Sequence, residues 1–312
     1  MTATPRRPQT PQARNRQLTD RLRAAARSRN VPVGMVRKQF VFALLFKRLF
    51  AEPDDDWLLL GGNALLVRLG GGRFTQDVDL AHPPGDLDAE TLLAALRAKV
   101  ARDPGDGFTF ELHSITTHDR TQGDGYGTRA HTVQARALIG GALFEPFSID
   151  VTRRRHVIGP VDRARPTPVI DDPSLADLPE VPVVPLENHV ADKVCGMYER
   201  HKRGSASTRW RDLADLVRIT QAFPLDAGRL AQVLRHEEQR RGMRLPAAMG
   251  APGEQWARRY PAAARDFAEF PERFHTLDAS LAAVGACLDP VLDGSVTRGR
   301  WDPAAQAWAT GG

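Results

Sequence analysis

Two aspartates separated by one residue, Asp77 and Asp79, are the side chains of this sequence best spaced to do chemistry. In a strand, side chains alternate between faces, so Asp77 and Asp79 project together while Val78 and Leu80 turn to the core. Two carboxylates so close repel each other unless a cation lies between them, and an all-oxygen pair suits Mg²⁺ or Mn²⁺. The same tripeptide also fits a solvated strand edge. A third acid, Asp150, alternates with Ile149 and Val151 in the stretch Phe147 to Val151. On a neighbouring strand it would complete a set able to hold two metal ions. Its alternative is a salt bridge to Arg153, Arg154 or Arg155.

The stretch Leu60-Gly61-Gly62-Asn63 offers a second kind of chemistry. Glycines after a buried strand let backbone amides approach a phosphate, aided by the N-terminus of the helix that follows. Asn63 is spaced to cap that helix and to offer its amide to the same phosphates. Further along, Lys193 borders an apolar stripe of Leu186, Val190, Val194 and Met197. A lysine there either snorkels past the core or reaches a phosphate. Asp212 and Asp215 flank a second stripe built on Leu213, Leu216 and Val217, where each taken alone reads as a surface residue.

A sheet and a helical body must hold these residues. Helical spacing begins near Leu18, and Val33 to Phe50 reads as a second helix. Trp57 to Leu60 reads as a buried strand, Asn63 to Leu69 as a short helix, Gln76 to Ala81 as a strand and Ala89 to Val100 as a helix. Phe108 to Ile115, Thr132 to Leu138 and Phe147 to Val151 supply three more strands. That order predicts an α+β lobe on a mixed sheet over residues 17–158, preceded by a disordered basic arm at 1–16. Residues 159–185 hold seven prolines, which speaks against a regular helix or a central strand and predicts an extended crossing segment. A mainly helical lobe follows over 186–292, and residues 293–312 read as a Gly-rich tail.

Composition narrows the setting. Hydrophobic residues make up 42% and charged residues 26%, as in ordinary globular chains. The net charge is +5, with basic residues crowded at Arg200 to Arg211 and Arg235 to Arg244. Arg200, Lys202, Arg203, Arg209 and Arg211 could grip nucleic-acid backbone or simply solvate a helix face. Two cysteines, Cys195 and Cys287, lack metal-like spacing and predict a reducing, cytoplasmic setting. The nine histidines form no HExxH pair, which argues against zinc. No apolar run nears the roughly 20 residues a membrane helix needs, and the first residues lack the hydrophobic stretch of a secretory signal.

Together these residues resemble the AbiEii-type abortive-infection toxins of the DNA polymerase β-like nucleotidyltransferase superfamily. The resemblance includes the mycobacterial branch that transfers nucleotides to the 3′ end of tRNA. It is carried by Gly61-Gly62-Asn63-Ala64-Leu65, by Arg73 with Asp77-Val78-Asp79-Leu80, by Ile149-Asp150, by Lys193, and by Arg211-Asp212-Leu213 with Asp215. It implies a nucleotidyltransferase sheet lobe followed by a helical lobe. It also implies that Asp77 and Asp79 bind metal, that Arg73 and Lys193 hold the triphosphate, and that Asp212 completes the active site. Asn63 stands where the superfamily carries serine, so an amide replaces a hydroxyl. The implied partners are a nucleoside triphosphate, a tRNA acceptor and a cognate antitoxin protein. Two other functions keep the same residues: transfer to a small molecule or protein side chain, and nucleotide binding without catalysis.

Overall fold

A computed structural model of the chain describes residues 10–52, 56–71, 75–82, 87–120, 128–153, 157–200, 204–267 and 269–309. Helix α1 (Pro11–Ser28) starts where Thr10 accepts a hydrogen bond from the Ala13 N–H at 3.2 Å. Pro11 occupies the first turn, where its missing N–H costs nothing. The expected disordered arm is therefore shortened: Pro11 to Arg16 are helical, and residues 1–9 lie outside the described residues. Arg14 and Arg21 both bind the buried carboxylate of Asp172, at 3.0 and 2.8 Å, a partner too distant in sequence to foresee. Helix α2 (Val33–Leu49) follows and buries Phe40, Leu44, Leu45 and Leu49 in the sheet core, as its spacing requires.

The sheet contains β1 (Leu58–Leu59), β2 (Asp77–His82), β3 (Phe108–Arg120), β4 (Thr128–Ile139), β5 (Ala142–Arg153), β6 (Asp162–Ala164) and β7 (Val181–Val183). Helix α3 (Gly61–Leu69) lies between β1 and β2, and α4 (Ala89–Val100) between β2 and β3. The strand order is β3-β4-β5-β2-β1-β7-β6. β2 pairs antiparallel with β1 and parallel with β5, so the sheet is mixed. Val78, Leu80, Ile149 and Val151 are all fully buried, which leaves the alternate positions of β2 and β5 on the opposite face.

The proline-rich segment departs from expectation because it contributes β6 and β7, and β7 is an interior strand carrying Pro182. The ladder tolerates this proline because β1 is only two residues long. Val184 N–H donates to Leu59 O at 3.0 Å, and two residues back the matching acceptor for an N–H at 182 would be Trp57, ahead of β1.

The helical lobe comprises α5 (Leu186–Tyr198), α6 (Trp210–Ala222), α7 (Ala227–Arg241), α8 (Gln255–Arg265) and α9 (Leu277–Leu292). Its core gathers Val190, Val194, Met197, Leu213, Leu216 and Trp256. α3 serves both cores, giving Ala64 and Val67 to the sheet side and Leu65 to the helical side. The tail is also ordered: β8 (Arg300–Asp302) and β9 (Ala307–Ala309) form a hairpin. Its Trp301 is fully buried and donates its indole N–H to Thr220 O at 2.7 Å. No helix among the described residues is long and apolar enough to cross a membrane.

Candidate active site

The register of β2 against β5 sets Asp79 directly opposite Asp150 and Asp77 opposite Ser148. On the far side of Asp150, Thr132 of β4 donates its hydroxyl to Asp150 Oδ1 at 2.7 Å. The three sequence-predicted acids therefore share one face of two neighbouring strands. Burial, and then the charges of Asp77, Asp150 and Asp192, raise the Asp79 pKa to about 7, while Lys193 pulls it the other way. The opposing charges show that α5 faces the strand acids.

Gly61 closes the site from the β1–α3 junction. Its φ is +57°, a conformation that favours glycine. A Cβ there would lie 2.7 Å from Asp79 Cγ and closer still to Oδ2. The preceding Leu60 N–H donates to Asp79 O at 2.9 Å, so backbone and side chain both fix this approach.

Asn63 corrects the sequence reading. Leu60 is the N-cap and α3 begins at Gly61, two residues earlier than expected, which turns position 63 inward. Asn63 is 1% exposed, and its Nδ2 donates to Asp77 O at 2.6 Å. It does not cap the helix, and its amide fastens α3 to β2 beneath the acids. Its Oδ1 has no hydrogen-bond partner among the described residues.

Lys193 is also more deeply committed than its spacing implied. It is 4% exposed, and its Nζ donates to Asp212 Oδ1 at 3.0 Å and to Asp215 Oδ2 at 2.6 Å. Snorkelling is excluded, and neither Asp212 nor Asp215 is a surface residue, because α6 turns the flank of its stripe against α5. Arg209 approaches the other oxygen of Asp212, with Nε 2.7 Å from Oδ2, and lies 3.7 Å from Asp192. Arg209 is thus paired with two acids of the cluster while its side chain stays 42% exposed. Gly196 leaves room for it, since a Cβ there would meet the Arg209 Cζ at 2.8 Å.

Arg200 and Arg211 are exposed, whereas Arg73, Lys202 and Arg203 lie outside the described residues. In the second basic run, Arg240 and Arg241 are bound by Glu237 and, for Arg241, also by Asp192 and Glu199.

Two residues of α5 escaped the sequence reading. Partial burial opposes ionisation of Asp192, whose side chain is 49% exposed, but Arg241, then Arg209 and Lys193, bring its pKa down to about 2. His189, one turn before Lys193, is 3% exposed, and neither ring nitrogen has a hydrogen-bond partner among the described residues. Burial and the Lys193 charge lower it to about 3, so it is neutral at physiological pH. The only signal for either was its presence on the helix that carries Lys193, with His189 four residues away and Asp192 adjacent in sequence.

No curated protein matches this sequence. Among solved structures, the fold is similar to the nucleotidyltransferase toxin MenT4 from Mycobacterium tuberculosis H37Rv, at 18% identity and a TM-score of 0.51, covering 87% of this chain and 89% of that one. JHP933 from Helicobacter pylori is similar at 14% identity and a TM-score of 0.43, covering 84% of this chain and 92% of that one. The family described as nucleotidyl transferase AbiEii toxin, type IV toxin–antitoxin system, matches residues 43–284, which contain both the strand acids and the Lys193 cluster. The chain belongs to this family of nucleotidyltransferase toxins.

Proposed function

We propose that the protein transfers nucleotides from a nucleoside triphosphate to the 3′ end of tRNA, with Mg²⁺ or Mn²⁺ held at Asp77 and Asp79. The observation that carries this reading is the setting of Asp79: opposite Asp150, against Gly61, and raised to about 7 by burial and like charges. Such a carboxylate ionises at a cost until a cation arrives, which is how a metal ligand behaves. Among the described residues no three His, Cys, Asp or Glu side chains converge as a ready-made cage. Mg²⁺ takes one or two carboxylates and completes its shell with water and substrate phosphates. Asp150 is the further oxygen donor, oriented by Thr132.

A bound ion supplies positive charge to the α-phosphate and the leaving pyrophosphate. The protein's own residues do the positioning. The start of α3 at Gly61 and Gly62 presents backbone N–H groups suited to the triphosphate. Lys193, braced by Asp212 and Asp215, keeps a fixed positive charge beside the acids. Asp212 acts through Lys193 and Arg209 as a positioning residue. Modification of tRNA would arrest growth in the cytoplasm, and a cognate antitoxin protein would restrain it.

The test is incubation with total RNA, Mg²⁺ and each labelled nucleoside triphosphate in turn, alongside small-molecule and protein acceptors. Label on tRNA that disappears with Asp79→Ala or with a chelator supports the reading. Label confined to a protein or small molecule overturns it.

A further inference from the structure

A cavity of about 640 Å³ opens where α5 ends and the chain after α7 returns beside it. Tyr198, Arg200, Met243, Arg244, Leu245 and Pro252 form much of its wall. We infer that this cavity binds the unpaired end strand of an RNA acceptor, a nucleotide or two from the reacting terminus. The inference rests on the RNA reading above and gives that acceptor a place on the protein.

The cavity combines two kinds of surface. Arg200 and Arg244 are exposed on the cavity wall, where their charges can meet an anion. The acid on the wall, Glu199, is held by Arg241 at 3.4 Å. The same wall includes Met243, Leu245, Pro246 and Pro252, with the ring of Tyr198. Cations beside an apolar and aromatic surface are what a single strand requires, since its phosphates and bases are both accessible. The volume falls within the roughly 300–1,000 Å³ of sites that enclose small organic ligands, and exceeds what a lone phosphate fills.

The cavity is a standing feature because its loop is tied down along its length. Gly242 closes α7 at φ +58°, with the Met243 N–H donating to Glu238 O at 3.0 Å. The Leu245 N–H donates to Glu238 Oε1 at 2.7 Å, and the Met249 N–H to Asp289 Oδ1 at 2.7 Å. Gly250 N–H donates to the Tyr198 hydroxyl at 2.7 Å, and that hydroxyl donates to Gly250 O at 2.8 Å.

The cavity also lies at the end of the helix that carries Lys193. Tyr198 lies five residues beyond Lys193 on α5, about 7.5 Å along the helix axis. Arg241, on the cavity wall, binds Asp192, whose charge is felt at Asp79. A strand end seated here therefore lies at the end of the helix that carries Asp192 and Lys193.

The experiment uses the full chain and a labelled short single-stranded RNA, with binding followed by fluorescence anisotropy over a salt series and without nucleotide. Arg200→Ala combined with Arg244→Ala should weaken binding tenfold or more. Losing two phosphate contacts should also reduce the slope of log K against log salt by about 1.4. The thermal midpoint and the nucleoside triphosphate affinity should hold. Met243→Asp, which sets an acid on the apolar wall, should weaken the same RNA while leaving both arginines in place. Wild-type RNA affinity and salt slope in the double variant would overturn the inference, as would a wild-type protein that binds no single-stranded RNA. If the double variant labels tRNA at the wild-type KM, the cavity assignment fails while the transfer reading stands. If RNA binding falls as expected but no RNA is ever labelled, the transfer reading fails and the cavity remains an RNA site.

Discussion

Replacing Gly61 by alanine tests the geometry of the site without removing any functional group. The backbone there sits at φ +57°, so any L side chain incurs a cost of roughly 1–2 kcal/mol. The larger effect is local. A Cβ would lie 2.7 Å from Asp79 Cγ, whereas ordinary contact begins at 3.4 Å, so the carboxyl carbon must retreat by at least about 0.7 Å and Oδ2 by more. A misplacement of about 1 Å at a reacting centre can cost on the order of 100-fold in rate. The expected result is therefore a loss of nucleotide transfer of about that size, weakened Mn²⁺ binding, and a melting temperature lowered by only a few degrees. Gly141→Ala is the control: it carries a φ of +78° with nothing within 4 Å of its Cβ, so it bears similar backbone strain far from the acids. Transfer by labelled-nucleotide assay, metal binding by calorimetry and melting by circular dichroism separate the two variants. Equal activity in Gly61→Ala and Gly141→Ala would refute the view that the Cα of Gly61 sets the position of Asp79.

Three other expectations follow from the same contacts. The folded-state pKa of Asp79, about 7, lies above the ordinary carboxyl value of 3.8, so its protonation favours the fold. That stability is complete below about pH 4 and is lost as pH rises through 7, by at most about 4 kcal/mol. Thermal melts of metal-free protein should show the decline, Asp79→Asn should flatten it, and Mn²⁺ should stabilise more at pH 8 than at pH 5.5. Lys193→Met leaves two buried carboxylates, Asp212 and Asp215, without their shared cation. It should cost about 3–5 kcal/mol in denaturant unfolding, with Asp215→Asn on the same chain recovering part of that; an unchanged midpoint would mean the cluster is not buried as described. Trp301→Ala removes a fully buried ring and its bond to Thr220 O, and should destabilise the helical lobe by about 3–5 kcal/mol, read by urea denaturation.

The sequence alone carried the α+β order, the two-residue alternation of Asp77 and Asp79, and the glycines before the short helix. Each depends on local periodicity or on a residue's own backbone freedom, which neighbours along the chain reveal. What tertiary structure decided is where one segment meets another. Asp150 stands opposite Asp79 only because β5 pairs with β2 in one register across some 70 residues, and a slip of one residue would turn Asp150 into the core. Periodicity placed Lys193, Asp212 and Asp215 at the borders of apolar stripes, yet a stripe does not say what covers its edge. The approach of α6 to α5 turned those borders into a buried ion cluster, with the exposed Arg209 paired at its edge. Pro182 could enter an interior strand because the neighbouring β1 is short, and the weakly patterned tail became a hairpin because the helical lobe offered Trp301 a buried place and a backbone acceptor. Local sequence thus determined which residues could act, whereas the long-range pairing of strands and helices determined which of them act together.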